Sequence, residues 1–254
     1  GSTIPASMVS SPANVVMISG ASTSPQITGM SPYLFRTCPS DALQGQLLAK
    51  RAIAQGFTRV AVTFVPGPYG SGLSDTFATN FTQLGGTVTF QQMYTEAQPS
   101  YRARLTSIYA TSPQAILLVA YPVDGAQIVK DYNSAFSSQQ TTWFFTDATE
   151  DPSFVQAIGA GNFTFNHEGT GSAAPSGPAY ASYAAAFNAK YGHAAAPGTF
   201  SANVYDATYL AALAIAQAGS AQGPAIAGAL REVADPPGMV VGPGQWAAAL
   251  GAIK

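Results

Sequence analysis

Residues 59–158 alternate between short β-rich runs and segments whose apolar residues recur at helical spacing. The apolar run at 115–120, Ala-Ile-Leu-Leu-Val-Ala, is typical of a strand buried on both faces. The other β-rich runs are residues 59–65, 87–90 and 143–145, and helical spacing follows in residues 71–84, 101–109, 126–136 and 152–158. This alternation predicts an α/β fold in which helices cover both faces of a parallel sheet.

In an open sheet of this kind, ligands bind beyond the carboxyl ends of the strands. Residues that directly follow a predicted strand are therefore candidates for a binding site. Asp147 stands at such a position, where a binding role and a structural role are both open. For Glu150 and Asp151 we expect helix capping or solvation, because Pro152 marks the start of a helix.

The flanking regions have a different pattern. Residues 1–40 contain one strand pattern, at 15–19, and little else that is regular. Helical spacing in an Ala-rich region predicts helices over residues 179–191, 200–218 and 225–234, and the turn-rich stretch 236–244 surrounds one short predicted strand. We expect the N- and C-terminal parts to pack together as one lobe, with the central α/β region inserted as a second lobe.

Composition excludes several classes of function. Only 9% of the residues are charged and the net charge is −2, which argues against nucleic-acid binding. No apolar run is long enough to cross a bilayer. Because Cys38 is the single cysteine, an internal disulfide is excluded. His167 and His193 are the only histidines, and we expect neither a metal nor another cofactor.

Motifs of common enzyme classes are also missing from the sequence. There is no Gly-x-Ser-x-Gly elbow, phosphate-binding loop, dinucleotide-binding glycine motif or His-Glu-x-x-His pair. The nearest match, Tyr-Gly-Ser-Gly at 69–72, has the wrong spacing for a nucleophile elbow. We therefore predict that the protein is not an enzyme.

Five short motifs follow one another along nearly the whole chain. They are VVMISGASTSPQIT at 15–28, YLFRT at 33–37 followed by Asp41, Gln44 and Gly45, YGSG at 69–72, YDA at 205–207 and PPGMVVGPG at 236–244. Together they resemble the periplasmic solute-binding proteins of branched-chain amino acid (leucine/isoleucine/valine) ABC importers. The resemblance implies a two-lobed type I periplasmic binding protein, with parallel sheets flanked by helices and the ligand in the cleft between the lobes.

The resemblance also implies ligand-binding residues. Ala21 and Thr23 match positions that bind the α-carboxylate and α-amino groups of the ligand, and Asp147 matches an acidic residue that pairs with the ligand ammonium. The hydroxyl of Thr23 can donate and accept hydrogen bonds, although a local turn before Pro25 is the alternative. We expect Asp147 to be the one charge in an otherwise neutral cleft.

Three aromatic residues complete the implied site. Tyr69 and Tyr121 match cleft tyrosines of the second lobe, and Phe200 matches an aromatic wall of the side-chain pocket. The alternatives are turn packing for the two tyrosines and ordinary helix core for Phe200. We predict that Thr23, Tyr69, Tyr121 and Asp147 converge on one cleft.

By the same resemblance, residues 1–41 are part of the first lobe, 42–172 the second lobe and 173–254 the rest of the first lobe. The chain would cross between lobes near Asp41 and near 173–176. Family members have further strand–helix units before the position of Ser2. Their carboxylate-binding serine would align one place before Gly1, and they cross again after the position of Lys254. We therefore expect this chain to be a fragment or a nicked form, without its signal segment.

The expected function is capture of an amino acid or similar small ligand by hinge closure, followed by delivery to ABC permease subunits. The expected location is the periplasm or the cell exterior. Two alternatives remain open: a ligand-sensing regulator of the same fold that works without a transporter, and an enzyme on an α/β scaffold.

Overall fold

The computed structural model describes residues 1–173, 176–194 and 200–253. The chain forms two compact units. The first unit comprises Gly1–Ser22, Ile27–Pro39 and Ala173–Lys254, and the second unit comprises Thr23–Gln26 and Ser40–Ser172. The backbone therefore passes from one unit to the other after residues 22, 26, 39 and 172.

The described residues form both helices and strands. The strands are β1 Met17–Ser19, β2 Leu34–Arg36, β3 Arg59–Phe64, β4 Thr87–Met93, β5 Ala115–Val119, β6 Thr142–Phe145 and β7 His167–Gly169. The α-helices are α1 Thr3–Ser10, α2 Asp41–Ala54, α3 Pro68–Gln83, α4 Arg102–Tyr109, α5 Pro122–Ala135, α6 Pro152–Ile158, α7 Gly177–Tyr191, α8 Ser201–Ala218, α9 Gly223–Ala234 and α10 Trp246–Ala252. None of the helices in these ranges is both long and apolar enough to cross a membrane.

The second unit is built on a parallel five-stranded sheet with strand order β4-β3-β5-β6-β7. The four strands predicted between residues 59 and 145 are all present, and all pair in parallel as the alternation required. The fifth strand, β7, was not predicted, because His-Glu-Gly carries no β-rich pattern. It forms by pairing with β6, where Trp143 lies opposite His167.

Two helices begin earlier than the apolar spacing predicted. Helix α3 begins at Pro68 and α5 at Pro122, each with proline as its first residue. The fixed φ of proline suits this position, where its missing N–H is not needed. Tyr69 therefore lies in the first turn of α3, and Tyr121 is the N-cap of α5.

The core of the second unit surrounds the central strand β5, all five residues of which are fully buried. Helix α3 contributes Leu73, Phe77 and Phe81 to this core, at the spacing of one helix face. Helix α5 contributes Ile128 and Val129. The buried sheet holds its loops on a rigid base, which is the arrangement that positions binding residues well.

The first unit contains a two-stranded parallel sheet, in which Met17 of β1 lies opposite Leu34 of β2. Helices α8 and α9 pack against each other through Ala214, Ala229 and Leu230. Apolar residues of the strand region, including Ile18, pack against the same cluster.

Two sequence expectations for this unit were wrong. Residues 1–40 also contain α1 and β2, and Pro5 does not break α1 because it lies in the first turn. The predicted strand within residues 236–244 is absent: no strand of the described residues pairs with it, and Val240 is 95% exposed. A short β-rich run without a neighbouring strand has no hydrogen-bond partners for its backbone N–H and C=O groups, so it does not form a strand.

Candidate functional site

The candidate site lies in the second unit, at the carboxyl ends of the strands of its sheet. This side of the sheet is called the carboxyl edge below. Helix α3 follows β3 and α5 follows β5 at this edge, and a short 3-10 turn, Asp147–Thr149, follows β6. Each helix presents its N-terminal N–H groups there, which favours negative charge nearby. Side chains from three separate segments are thus brought to one edge.

Tyr69 is held by a close backbone approach and by two hydrogen bonds. A β-carbon on the neighbouring Gly70 would overlap the carbonyl oxygen of Val65, so only glycine allows the chain to turn this tightly. The Tyr69 hydroxyl lies 3.0 Å from Oγ1 of Thr146 and donates to Oδ1 of Asp147 over 2.9 Å. Burial, followed by the charge of Asp147, raises the pKa of Tyr69 well above its ordinary value. Tyr69 is therefore a neutral donor at physiological pH.

Tyr121 stacks on Tyr69, with ring centroids 5.7 Å apart and an angle of 22° between the planes. Its side chain is 43% exposed, so one side of the ring pair is open to solvent. Burial raises the pKa of Tyr121, and the nearby carboxylates of Asp147, Glu96 and Asp41 raise it further. The stacked rings form an apolar surface next to the Asp147 carboxylate.

Asp147 is partly buried, and burial raises the pKa of its carboxyl above the ordinary 3.8. Hydrogen bonds from the side chains of Tyr69 and Gln44 and from the backbone N–H groups of Asp147 and Ala148 act in the opposite direction. These interactions favour the ionised form, and the 2.9 Å hydrogen bond from Tyr69 orients the carboxylate. A carboxylate held in this way can bind a protonated amine through charge-assisted hydrogen bonds.

Thr23 belongs to a four-residue segment, Thr23–Gln26, that packs in the second unit. Its hydroxyl donates to Oδ2 of Asp41 over 2.9 Å, and the Asp41 N–H donates to the Thr23 carbonyl. The adjacent Ser24 donates to the carbonyl of Pro68. A β-carbon on Gly72 would lie 2.8 Å from Cδ of Pro25, so glycine lets this segment approach α3.

Four of the six predicted site residues therefore lie in the second unit. Tyr69 touches Tyr121 and Asp147, and Thr23 is bonded to Asp41, whose charge acts on both tyrosines. The contacts among Tyr69, Tyr121 and Asp147 are geometric findings, whereas the convergence of Thr23 with them and the ligand-binding roles of all four residues remain predictions.

The other two predicted residues lie in the first unit. Ala21 is exposed, and its N–H donates to Oγ of Ser19 over 3.4 Å. Phe200 is partly buried and is the N-cap of α8, not its first helical residue as predicted. Its φ of 54° lies in the left-handed region, which is uncommon for a bulky residue. The roles of Ala21 and Phe200 as ligand contacts likewise remain predictions.

Sequence reasoning did not assign three residues of this region to the site: Asp41, Gln44 and Thr146, although the first two belong to one of the five motifs. Asp41 adds a second carboxylate, which the expectation of a single charge did not include. Ser40 caps α2 by accepting from the Ala42 N–H, which places Asp41 at the first helical position and Gln44 one turn later. That capping pattern was the available signal for both residues.

The two carboxylates near the start of α6 differ from Asp147. Asp151 accepts a hydrogen bond from the Ser153 N–H over 2.7 Å, which confirms its predicted capping role. The side chain of Ser153, followed by its N–H, lowers the pKa of Asp151. Glu150 is exposed. Across the ranges that the structure describes, His, Cys, Asp and Glu form no group of three or more that is placed to hold a metal ion.

The sequence profile of the periplasmic binding protein family matches residues 5–253. A curated relative, the Leu/Ile/Val-binding protein BraC3 of Rhizobium johnstonii, is 28% identical over 240 residues, which is 91% of this chain and 62% of the relative. The chain therefore spans less than two thirds of that relative's length.

Two solved structures have the same fold. The leucine binding protein LivK of Thermotoga maritima is 26% identical, with a TM-score of 0.76 over 89% of this chain and 64% of that protein. A type 1 periplasmic binding protein of Bordetella pertussis is 18% identical, with a TM-score of 0.77 over 92% of this chain and 66% of that protein. The α/β fold with parallel sheets flanked by helices is thus the one that the sequence predicted.

Proposed function

Because this chain belongs to the periplasmic binding protein family, we propose that it captures an amino acid or a similar small ligand and delivers it to the permease of an ABC importer. Family membership implies an extracytoplasmic location, and we place the protein in the periplasm or at the cell exterior. Capture requires no chemical step, and we propose that the protein is not an enzyme.

The observation that carries this proposal is the cluster formed by Tyr69, Tyr121 and Asp147. A carboxylate that accepts a hydrogen bond from Tyr69, beside a stacked pair of aromatic rings, suits an ammonium group attached to an apolar body. The names of two relatives support the same class of ligand, since one is a Leu/Ile/Val-binding protein and another a leucine binding protein.

In this proposal Asp147 pairs with the ligand ammonium, and Tyr69 and Tyr121 contact the ligand from the second unit. Thr23 and Ala21 bind its α-amino and α-carboxylate groups, and Phe200 contacts its side chain. The two compact units act as the two lobes, which close on the ligand by movement of the segments that join them. The predicted boundaries, 1–41 with 173–254 for one lobe and 42–172 for the other, differ from those units in that Thr23–Gln26, Ser40 and Asp41 pack in the second unit.

A thermal-shift screen tests the proposal. Ligand that binds the native state raises Tm, by an amount that grows with ligand concentration. We expect a leucine, isoleucine or valine sample to raise Tm, with isothermal titration calorimetry giving a Kd for the best ligand. The screen should include each deaminated analogue as a control. A panel in which no amino acid shifts Tm, while another class of small molecule does, would reject the amino-acid assignment.

A further inference from the structure

The hydroxyl of Tyr69 lies between two polar side chains that follow β6. It lies 3.0 Å from Oγ1 of Thr146 and 2.9 Å from Oδ1 of Asp147. Tyr69 and Thr146 are both buried, with 9% and 2% of their surfaces exposed. The three side chains therefore form a continuous series of hydrogen bonds, shielded from solvent at its Thr146 end.

The direction of these two hydrogen bonds follows from the protons that the groups carry. An ionised carboxylate only accepts, a tyrosine hydroxyl has one proton to donate, and a threonine hydroxyl can donate or accept. While Asp147 is ionised, the proton of Tyr69 is committed to its carboxylate. The contact between Tyr69 and Thr146 is then a hydrogen bond only if Thr146 donates.

The Thr146 side chain does not have the capping role that its position favours. Thr146 is the N-cap of the turn Asp147–Thr149, where a threonine hydroxyl commonly accepts from the N–H groups that follow. Within this described turn its side chain makes no capping hydrogen bond, and its hydroxyl contacts Tyr69. The turn is held through the Thr146 carbonyl, which accepts from both the N–H and the hydroxyl of Thr149. The Thr146 hydroxyl is thus available to Tyr69.

We propose that Thr146 is a positioning residue, whose hydroxyl holds Tyr69 as a donor to the Asp147 carboxylate that receives the ligand ammonium. This inference rests on the proposed function, in which Asp147 binds an amine. Thr146 acts through Tyr69 and needs no contact with the ligand.

Two substitutions at Thr146 and one matched control test this role. Thr146→Val removes the donor but keeps the branched shape, which suits the extended backbone there, and Thr146→Ser keeps the donor. The control Thr141→Val removes a similarly buried hydroxyl directly before β6, at the opposite end of the strand. By calorimetry, we expect Thr146→Val to weaken binding of the best amino acid about threefold to tenfold, because a hydrogen bond that holds Tyr69 is lost. We expect Thr146→Ser and Thr141→Val to bind like the parent.

An NMR titration without ligand separates positioning from a general loss of packing. A donor to Tyr69 strengthens the hydrogen bond from Tyr69 to the ionised carboxylate, so Thr146→Val should raise the pKa of Asp147. The carboxyl ¹³C shift of Asp147 measures this directly, and Thr146→Ser should keep the parent midpoint. Asp41 and Tyr121, which also titrate near this cluster, are unchanged in every variant. Thr146→Ala serves the same titration if the valine variant does not fold.

A double-mutant cycle tests whether Thr146 acts through Tyr69. Tyr69→Phe removes the hydroxyl that joins Thr146 to Asp147. Adding Thr146→Val to Tyr69→Phe should therefore leave the Asp147 midpoint where Tyr69→Phe alone places it.

The outcomes are distinguishable. Equal affinities for Thr146→Val and Thr141→Val, an Asp147 midpoint that Thr146→Val and Thr146→Ala leave unchanged, or additive shifts in the cycle would overturn the positioning role. A midpoint raised as much by Thr146→Ser as by Thr146→Val would overturn it too. Absence of amino-acid binding by the unaltered protein would instead reject the proposed function, while the ligand-free titration would still report whether Thr146 acts on the carboxylate.

Discussion

The hydroxyl of Tyr69 donates a hydrogen bond of 2.9 Å to Oδ1 of Asp147, a residue 78 positions later in the chain. Tyr69 lies at the start of α3, after β3, and Asp147 follows β6, while β5 lies between these strands in the sheet. The hydrogen bond therefore links segments that follow two strands separated by β5, at the carboxyl ends of the strands. It gives a partly buried carboxylate a strong donor, which favours its charged form.

The first prediction concerns Asp147→Asn. If Asp147 pairs with the ligand ammonium, this change should weaken amino-acid binding by about 2–5 kcal/mol, because the buried ammonium would lose its charged partner. The fold should change little, since Asn can still accept from Tyr69. Calorimetry gives the affinity, and urea denaturation of the ligand-free protein gives the stability.

A deaminated analogue of the best ligand provides the control for that experiment. The analogue should bind the parent poorly but lose little further affinity in Asp147→Asn, because both changes remove the same interaction. Additive losses across the four combinations would remove Asp147 from the site.

The second prediction concerns the pH dependence of stability. Burial raises the pKa of Asp147 in the folded state above the ordinary 3.8 of the unfolded chain. The folded state therefore binds this proton more tightly. The stabilising contribution is fully present below the unfolded pKa and is lost as pH rises through the folded pKa.

The free energy of unfolding of the parent, minus that of Asp147→Asn, should therefore be largest in acid and should fall as pH rises. Urea denaturation of both proteins from roughly pH 3 to pH 7 measures this difference. A difference that grows with pH would show that the carboxylate is stabilised, not penalised, by its surroundings.

The third prediction compares the two tyrosines. Tyr69→Phe removes a buried hydroxyl bonded to Thr146 and Asp147, so it should lower the free energy of unfolding by about 1–3 kcal/mol. Tyr121→Phe changes a half-exposed residue whose ring stacking survives the substitution, and should cost less than about 0.5 kcal/mol. Urea denaturation at neutral pH checks the contrast, and equal effects for both changes would contradict it.

The fourth prediction compares two glycines. Gly70→Ala places a methyl group against the Val65 carbonyl, so it should destabilise the protein by more than about 1 kcal/mol and move Tyr69. Gly228→Ala in α9 meets nothing within 4 Å, so it should stabilise by about 0.5–1 kcal/mol through helix propensity. Thermal unfolding of the two variants should shift Tm in opposite directions, and a shared direction would show that the backbone at Gly70 can relax.

Local periodicity accounts for what could be predicted of the fold. The continuous apolar run that contains Leu117 became the fully buried central strand, and the spacing of Leu73, Phe77 and Phe81 became the buried face of α3. Segments without such a signal were missed or misread. Strand β7 exists because β6 supplies its partner, whereas the β-rich stretch around Val240 stays irregular because none of the described strands pairs with it.

The site divides in the same way. By itself, the sequence determined that Tyr69, Tyr121 and Asp147 follow strands, because strand ends can be read from local pattern, and its motifs indicated the family. Only the tertiary structure decided that Tyr69 hydrogen-bonds to Asp147, that Tyr121 stacks on Tyr69 and that Gln44 reaches the carbonyl of Thr170. Those contacts depend on the order of strands in the sheet and on the placement of α2 beside it. Strand order and helix placement are both set by packing between residues far apart in the sequence. Such packing produces no periodic pattern in the local sequence from which it could be predicted.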